Sequence, residues 1–261
     1  LGASALFYIK RYIKHWFSAK RKGGFGVHSP FVFHFITKVI EEKNPYYSYS
    51  EVERVRKSLL SNTETINVID YGTGPSCKKR VCDIAKSSLK SSKLAQLIFR
   101  IAISNKSKSI LELGTSLGVT TLYLSKTDSR ASITTLEGSP ETASVAQRYI
   151  KNADANNVQI VVGDIDSTLP KVLNEIKRLD LVFFDANHRE EPTLNYFRQC
   201  LKKIDNSTIF IFDDINHSPE MVKAWEQIKK EESVRVTIDI FYMGIVFFNK
   251  NLQKEDYKIG F

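Results

Sequence analysis

Apolar residues recur along this chain in two textures. Between residues 109 and 248, short apolar runs alternate with stretches of helical spacing. Strands are predicted over 109–113 (Ser-Ile-Leu-Glu-Leu), 132–136, 158–162, 180–184 (Asp-Leu-Val-Phe-Phe) and 208–212 (Thr-Ile-Phe-Ile-Phe). Strands covered on both faces read as continuous apolar runs, and a regular strand–helix alternation signals a parallel sheet with crossover helices. Two more strands, 234–240 and 244–248, are joined too tightly for a parallel crossover, so the sheet ends in an antiparallel hairpin. The fold class predicted is α/β, with a mainly parallel seven-stranded sheet. No internal repeat is present.

Before residue 109 the pattern is helical. Over 4–17, Leu6, Ile9, Ile13 and Trp16 recur at helical spacing while Lys10, Arg11 and Lys14 fill the flank, which predicts a basic amphipathic helix. Its apolar stripe has two uses: packing on the rest of the chain, which we favour, or peripheral contact with a membrane. Lys10 and Arg11 break the apolar run and no small-residue cleavage site follows, so it does not read as a signal peptide. Gly23, Gly24 and Gly26 form a hinge. Ser29 as N-cap and Pro30 at the first helical position then open a second helix, which Asn44-Pro45 closes. Helical patterns resume at 50–60 and 86–103. The chain therefore divides into a mainly helical N-terminal cap on the substrate side, 1–106, and an α/β domain, 107–261.

Composition sharpens this picture. Of 261 residues 42% are apolar and 26% charged, which excludes disordered and low-complexity classes. Cys77, Cys82 and Cys200 supply neither a disulfide framework nor a zinc-ligand pattern, and they suit a reducing cytoplasm. No run approaches a membrane span. The net charge of +9 is unevenly spread, with no acidic residue before Glu41. That basic first part suits an anionic partner (a phosphorylated substrate, a nucleic acid or a lipid surface), or it is a solvated helical face.

The strand at 109–113 runs into Glu112-Leu-Gly114-Thr115-Ser116-Leu-Gly118, a glycine turn between strand and helix that lets backbone approach a ligand. Glu137 follows Gly114 by 23 residues at the end of the next strand, where a carboxylate accepts ribose hydroxyls. Gly163-Asp164 closes the third strand, with Asp164 placed for an adenine amino group. Ser116 stands where a dinucleotide fingerprint needs its second glycine, which disfavours NAD. A second strand-and-glycine turn, Val68-Ile-Asp70-Tyr-Gly72-Thr-Gly74-Pro75, lacks a following strand with a terminal acid and reads as a structural or substrate-side loop.

This ordered set, completed by Phe184-Asp185, resembles the motifs of class I S-adenosyl-L-methionine-dependent methyltransferases over about residues 93–250. The resemblance implies a Rossmann-like methyltransferase fold, with the donor held by Glu112, Gly114, Thr115, Ser116, Gly118, Glu137, Gly163, Asp164 and Asp185. Lys93-Leu-Ala-Gln96 is similar to a segment of catechol and caffeoyl-CoA-type O-methyltransferases, and the cap looks like that of uncharacterised methyltransferases from Bacteroidetes.

Asp185 ends the fourth strand and Asp213-Asp214 the fifth, so three carboxylates are expected at one sheet edge, a donor set that suits Mg²⁺ or Ca²⁺. The pattern is closer to macrocin-type O-methyltransferases than to the Asp, Asp, Asn of the catechol type. His188, in Asp185-Ala-Asn187-His188, stands where the related motif has the lysine that assists deprotonation, and an imidazole suits that work. His28, His34 and His217, with Phe31, Phe33, Phe35, Tyr46 and Tyr47, are either acceptor-side or packing residues. The expected activity is metal-assisted O-methylation of a small-molecule hydroxyl, with His188 and Asp185 catalytic. The alternatives are N- or RNA methylation using the basic cap, and a non-catalytic membrane- or nucleic-acid-associated module. A homodimer is compatible with the sequence.

Overall fold

Each strand predicted between 109 and 248 is present in a computed structural model, which describes residues 3–19, 22–69 and 76–261. The N-terminal helix α1 (Ala3–Ser18) matches its amphipathic pattern. Helix α2 (Pro30–Phe35) starts as its cap requires, with Ser29 Oγ accepting from the Val32 N–H at 3.4 Å. It runs into a π-helical turn, Ile36–Ile40, closed by the Glu41 N–H on the Ile36 carbonyl at 2.9 Å. Next come α3 (Tyr47–Ser61), β1 (Thr65–Val68), β2 (Cys77–Arg80), α4 (Val81–Ser88) and α5 (Ser92–Ser104). The helix predicted over 86–103 is thus two helices, because Ser91 caps a new one by accepting from the Leu94 N–H. Strands β1 and β2 pair antiparallel as a ribbon; the strand read before the second glycine turn, at Val68, anticipates β1, whereas β2 is not foreseen. Residues 70–75 of the second glycine turn lie outside the described residues.

The alternating region contains β3 (Ser109–Leu113), α6 (Val119–Ser125), β4 (Ser132–Glu137), α7 (Pro140–Asn152), β5 (Val158–Val162) and α8 (Ile165–Glu175). It continues through β6 (Leu181–Phe184), α9 (Glu190–Cys200), β7 (Ile209–Asp213), α10 (Pro219–Lys230), β8 (Val236–Asp239) and β9 (Met243–Phe247). A last strand, β10 (Glu255–Lys258), brings the mostly parallel strands to eight where seven were expected. In Glu-Asp-Tyr-Lys only Tyr257 is buried, so this edge strand offers no apolar run to read.

The chain divides into two compact units. In Asn44–Lys177, β3, β4 and β5 pair parallel in that order, with Glu112 opposite Thr135 and Glu137 opposite Val162. Val52, Leu59, Phe99, Leu122, Tyr123 and Ile150 belong to its core. The other unit joins Leu1–Lys43 to Arg178–Phe261, with strand order β10-β8-β9-β7-β6. Pairs β6/β7 and β8/β10 are parallel; β7/β9 and β8/β9 are antiparallel, as the terminal hairpin predicts. Its core is aromatic: Phe184 stacks on Phe212 with centroids 4.2 Å apart, and Trp225 lies so close to β9 that a Cβ on Gly244 would meet it at 2.5 Å.

Within this second unit α1 is held by the face opposite to the one expected. Tyr8 and Tyr12 each set an edge against Phe241 with centroids 5.0 Å apart, and His15 Nε2 lies 3.1 Å from Asp239 Oδ1. Arg11 donates from Nε and Nη2 to Asn216 Oδ1 at 3.1 and 2.5 Å. Leu6, Ile9, Ile13 and Trp16 remain exposed.

Candidate active site

The glycine turn after β3 is built around two carboxylates. Gly114 and Gly118 take positive φ of 100° and 80°, and a Cβ on Gly118 would meet Ala146 at 3.3 Å and Ile150 at 3.2 Å. Glycine there lets α7 close against the turn. Ser116 also sits in the left-handed region, at φ 47°. Its N–H donates to Glu137 Oε2 at 2.8 Å while the Ser139 N–H donates to Oε1 at 2.9 Å, so the carboxylate is fixed in orientation at the end of β4. Burial raises the Glu137 carboxyl, opposed by the backbone N–H groups of Ser139, Ser116 and Gly138.

Beneath the turn, Glu112 is fully buried. Its Oε2 accepts from the hydroxyls of Thr121 and Thr135, the latter at 2.7 Å, while Oε1 is without a partner. Burial pushes this carboxyl up to about 7 despite the two hydroxyls, with the Glu137 charge adding to the rise. Thr115, also buried, lies 2.6 Å hydroxyl to hydroxyl from Thr135. Glu112 and Thr115 thus brace the turn from below, whereas Gly114, Ser116 and Glu137 shape it. Gly163 has φ 140°, and Asp164 caps α8 by accepting from the Asp166 N–H at Oδ1, 3.1 Å. An oriented carboxylate beside a glycine turn, over a buried carboxyl with an unpartnered oxygen, fits a cationic adenosyl ligand.

The second group of predicted residues lies in the other unit. Asp185 follows β6, Asp213 ends β7, and one ligand atom each from Asp185, His188 and Asp213 lies within 4.8 Å of the others. His188 Nε2 is 3.6 Å from Asp185 Oδ1. Asp213 is buried; Asp185 and His188 are half-buried. Asp214 is not in this group. Its φ is 53° and its N–H donates to the Tyr242 carbonyl at 2.8 Å. Asn187, also left-handed at φ 50°, accepts from Arg189 Nε at 2.9 Å, between Asp185 and the helix α9 that follows. Two carboxylates and an imidazole suit a divalent ion, and the nitrogen widens the choice from Mg²⁺ towards first-row transition ions.

Sequence reasoning missed the surroundings of this edge. Asn216 is buried, accepts from Arg11 and donates to the Phe241 carbonyl at 2.8 Å. Phe241 holds φ 73°, a costly conformation for an aromatic residue. Tyr8 is pushed up to about 12 by burial, then by Tyr242, Asp214 and Asp213, so α1 brings a phenol near the carboxylates. His28, His34 and His217 are not among the residues of the Asp185 group.

The chain is similar to known methyltransferases. The family described as Methyltransferase domain matches residues 111–215, which include the glycine turn, Glu137, Asp185, His188 and both Asp213 and Asp214. A methyltransferase domain is thus matched over residues 111–215. No curated protein matches the sequence. Among solved structures, an O-methyltransferase from Bacillus cereus in complex with SAH is 21% identical, with TM-score 0.57 over 83% of this chain and 97% of that one. The SAH-bound methyltransferase PaMTH1 of Podospora anserina is 16% identical, with TM-score 0.56 over 79% of this chain and 98% of that one. TomG, an O-methyltransferase from Streptomyces achromogenes involved in tomaymycin synthesis and solved with SAM, is 14% identical, with TM-score 0.57 over 79% and 91%. At these identities the likeness is one of fold: the Rossmann-like methyltransferase fold expected from the sequence.

Proposed function

We propose that the protein methylates a hydroxyl oxygen of a small molecule with the help of a divalent ion, with residues 1–106 on the acceptor side and 107–261 as the methyltransferase domain. The observation that carries this reading is the convergence of Asp185, His188 and Asp213 within 4.8 Å in a methyltransferase domain. Folding alone does not require two carboxylates and an imidazole at neighbouring strand ends. Bound S-adenosylmethionine supplies an electrophilic methyl group, and a divalent ion lowers the pKa of the acceptor hydroxyl.

The chain's own residues divide the remaining work. Glu137 receives the ribose hydroxyls, its orientation fixed by the N–H groups of Ser116 and Ser139. Gly114 and Ser116 bring backbone close to the donor, and Asp164 addresses its adenine. Asp185 and Asp213 would hold the ion. His188 takes the acceptor proton at the ring nitrogen facing away from Asp185, whose Oδ1 lies 3.6 Å from Nε2. The donor, when bound, would give its methyl carbon to the acceptor oxygen with S-adenosylhomocysteine as the leaving group, and the proton would go to His188. Positioning accounts for much of the acceleration. The 4.8 Å grouping gives an alternative, His188 as third ligand to the ion instead of base, which the variant below distinguishes.

Turnover on a panel of hydroxylated acceptors, with chelator and with Mg²⁺ or Mn²⁺ restored, tests this reading. Asp185→Asn is expected to weaken ion binding and slow turnover. His188→Ala is expected to keep ion affinity and lose about 10²-fold or more in kcat. Loss of ion affinity in His188→Ala assigns it as a ligand. Full activity in chelator, with Asp185 and Asp213 both dispensable, refutes the metal-assisted mechanism.

A further inference from the structure

Helix α1 carries two faces, and among the described residues only one of them is engaged. Tyr8, Arg11, Tyr12 and His15 are engaged by Phe241, Asn216 and Asp239. On the other face Leu6, Ile9, Ile13, Trp16 and Phe17 form a continuous stripe, exposed by 46%, 41%, 50%, 65% and 77%. Because Arg11 and His15 fix the rotation of the helix, this stripe cannot turn into the core without breaking those bonds. Beside it lie Lys10 and Lys14, both exposed, and residues 1–40 hold seven Lys and Arg with no Asp or Glu.

We propose that this face docks the protein on an anionic lipid bilayer, α1 lying in the plane of the headgroups with its apolar stripe in the acyl boundary. The charge decides the occupant. A two-fold pairing of two copies through this face would set Lys10 and Lys14 against their own counterparts. A nucleic acid offers phosphates for the lysines but no apolar layer for Leu6, Ile9 and Ile13. An anionic bilayer satisfies both, and an indole at the stripe's end suits the membrane–water interface. No helix among the described residues is long and apolar enough to cross a membrane, so the contact is peripheral.

The test is co-sedimentation of the full chain with vesicles of phosphatidylcholine mixed with phosphatidylglycerol, and with pure phosphatidylcholine, over a range of salt. The protein has two tryptophans, and Trp225 is buried, so a blue shift on vesicle addition reports Trp16. Binding to the anionic vesicles only, with that shift and weakening as salt rises, is expected. Lys10→Ala with Lys14→Ala should weaken it about 25-fold, about fivefold for each basic side chain near an anionic surface. Ile13→Glu should abolish it with circular dichroism unchanged, since Ile13 is half exposed on the face away from Phe241, Asn216 and Asp239. No binding to anionic vesicles overturns the proposal. So does binding indifferent to Ile13→Glu, a dimer that Ile13→Glu converts to monomer while the wild type ignores vesicles, or retention on single-stranded RNA with Trp16 emission unmoved.

Discussion

Glu112 shows what the glycine turn costs. It has no solvent contact, one oxygen held by two threonine hydroxyls and the other without a partner, and its carboxyl is raised from an ordinary 4.5 to about 7 by burial. Between those values the folded protein binds more protons than the unfolded chain, so stability should fall as pH rises from about 4.5 to about 7. The full span is on the order of 3 kcal/mol. Glu112→Gln keeps the shape and an acceptor for Thr121 and Thr135 but cannot ionise, so its stability should fall less across the same range, Glu137 still contributing. Denaturant unfolding of both proteins at pH 5 and pH 8 measures the difference; equal slopes would place the titration on another group. The sequence marks Glu112 through its spacing to Gly114 and Gly118, yet not its burial, because burial depends on Thr135 from the neighbouring strand. Ser116 is similar: its departure from glycine is plain in the sequence, and its left-handed backbone, aimed at Glu137, is not.

At the scale of elements, strands β3 to β7 are legible because each is a short apolar run bounded by turn residues. The edge strand β10 is not, because a strand with one buried side chain leaves no period. The rotation of α1 is the instructive failure. Its aliphatic stripe is the stronger apolar signal, but Phe241, Asn216 and Asp239 offer aromatic and polar partners, and those select Tyr8, Arg11, Tyr12 and His15. These partners lie more than 200 positions away in the chain (Arg11 and Asn216 differ by 205), beyond any local pattern. Asn216→Ala removes the acceptor of Arg11 and the donor to the Phe241 carbonyl, leaving two part-buried groups unsatisfied. A loss of about 2–3 kcal/mol is expected. Faster tryptic cleavage at Lys10 and Lys14 in the folded protein should accompany it as α1 loosens. Unchanged cleavage would mean that the aromatic contacts of Tyr8 and Tyr12 suffice to hold the helix.

For the molecule as a whole, the two proposed chemistries fall in different parts of the chain. The proposed donor-binding residues Gly114, Ser116 and Glu137 belong to Asn44–Lys177, whereas Asp185, His188 and Asp213 belong to the unit that also contains α1. Binding of the donor and binding of the ion should therefore be separable by mutation. Glu137→Ala loses a pair of charge-assisted hydrogen bonds, on the order of 2–3 kcal/mol, so S-adenosylhomocysteine affinity should fall about 30- to 150-fold while Mn²⁺ affinity is kept. Asp213→Asn should do the reverse. Calorimetric titration of each variant, and of the double variant, with S-adenosylhomocysteine and with Mn²⁺ separates the cases. The double variant should show the two losses side by side, additive to about 0.5 kcal/mol, as expected of sites without shared partners. If Asp213→Asn weakens S-adenosylhomocysteine as much as Glu137→Ala does, the carboxylate is part of the donor site and the assignment of an ion to it fails. If Glu137→Ala leaves S-adenosylhomocysteine binding unchanged, the glycine turn is not where the ribose lies, whatever the ion does.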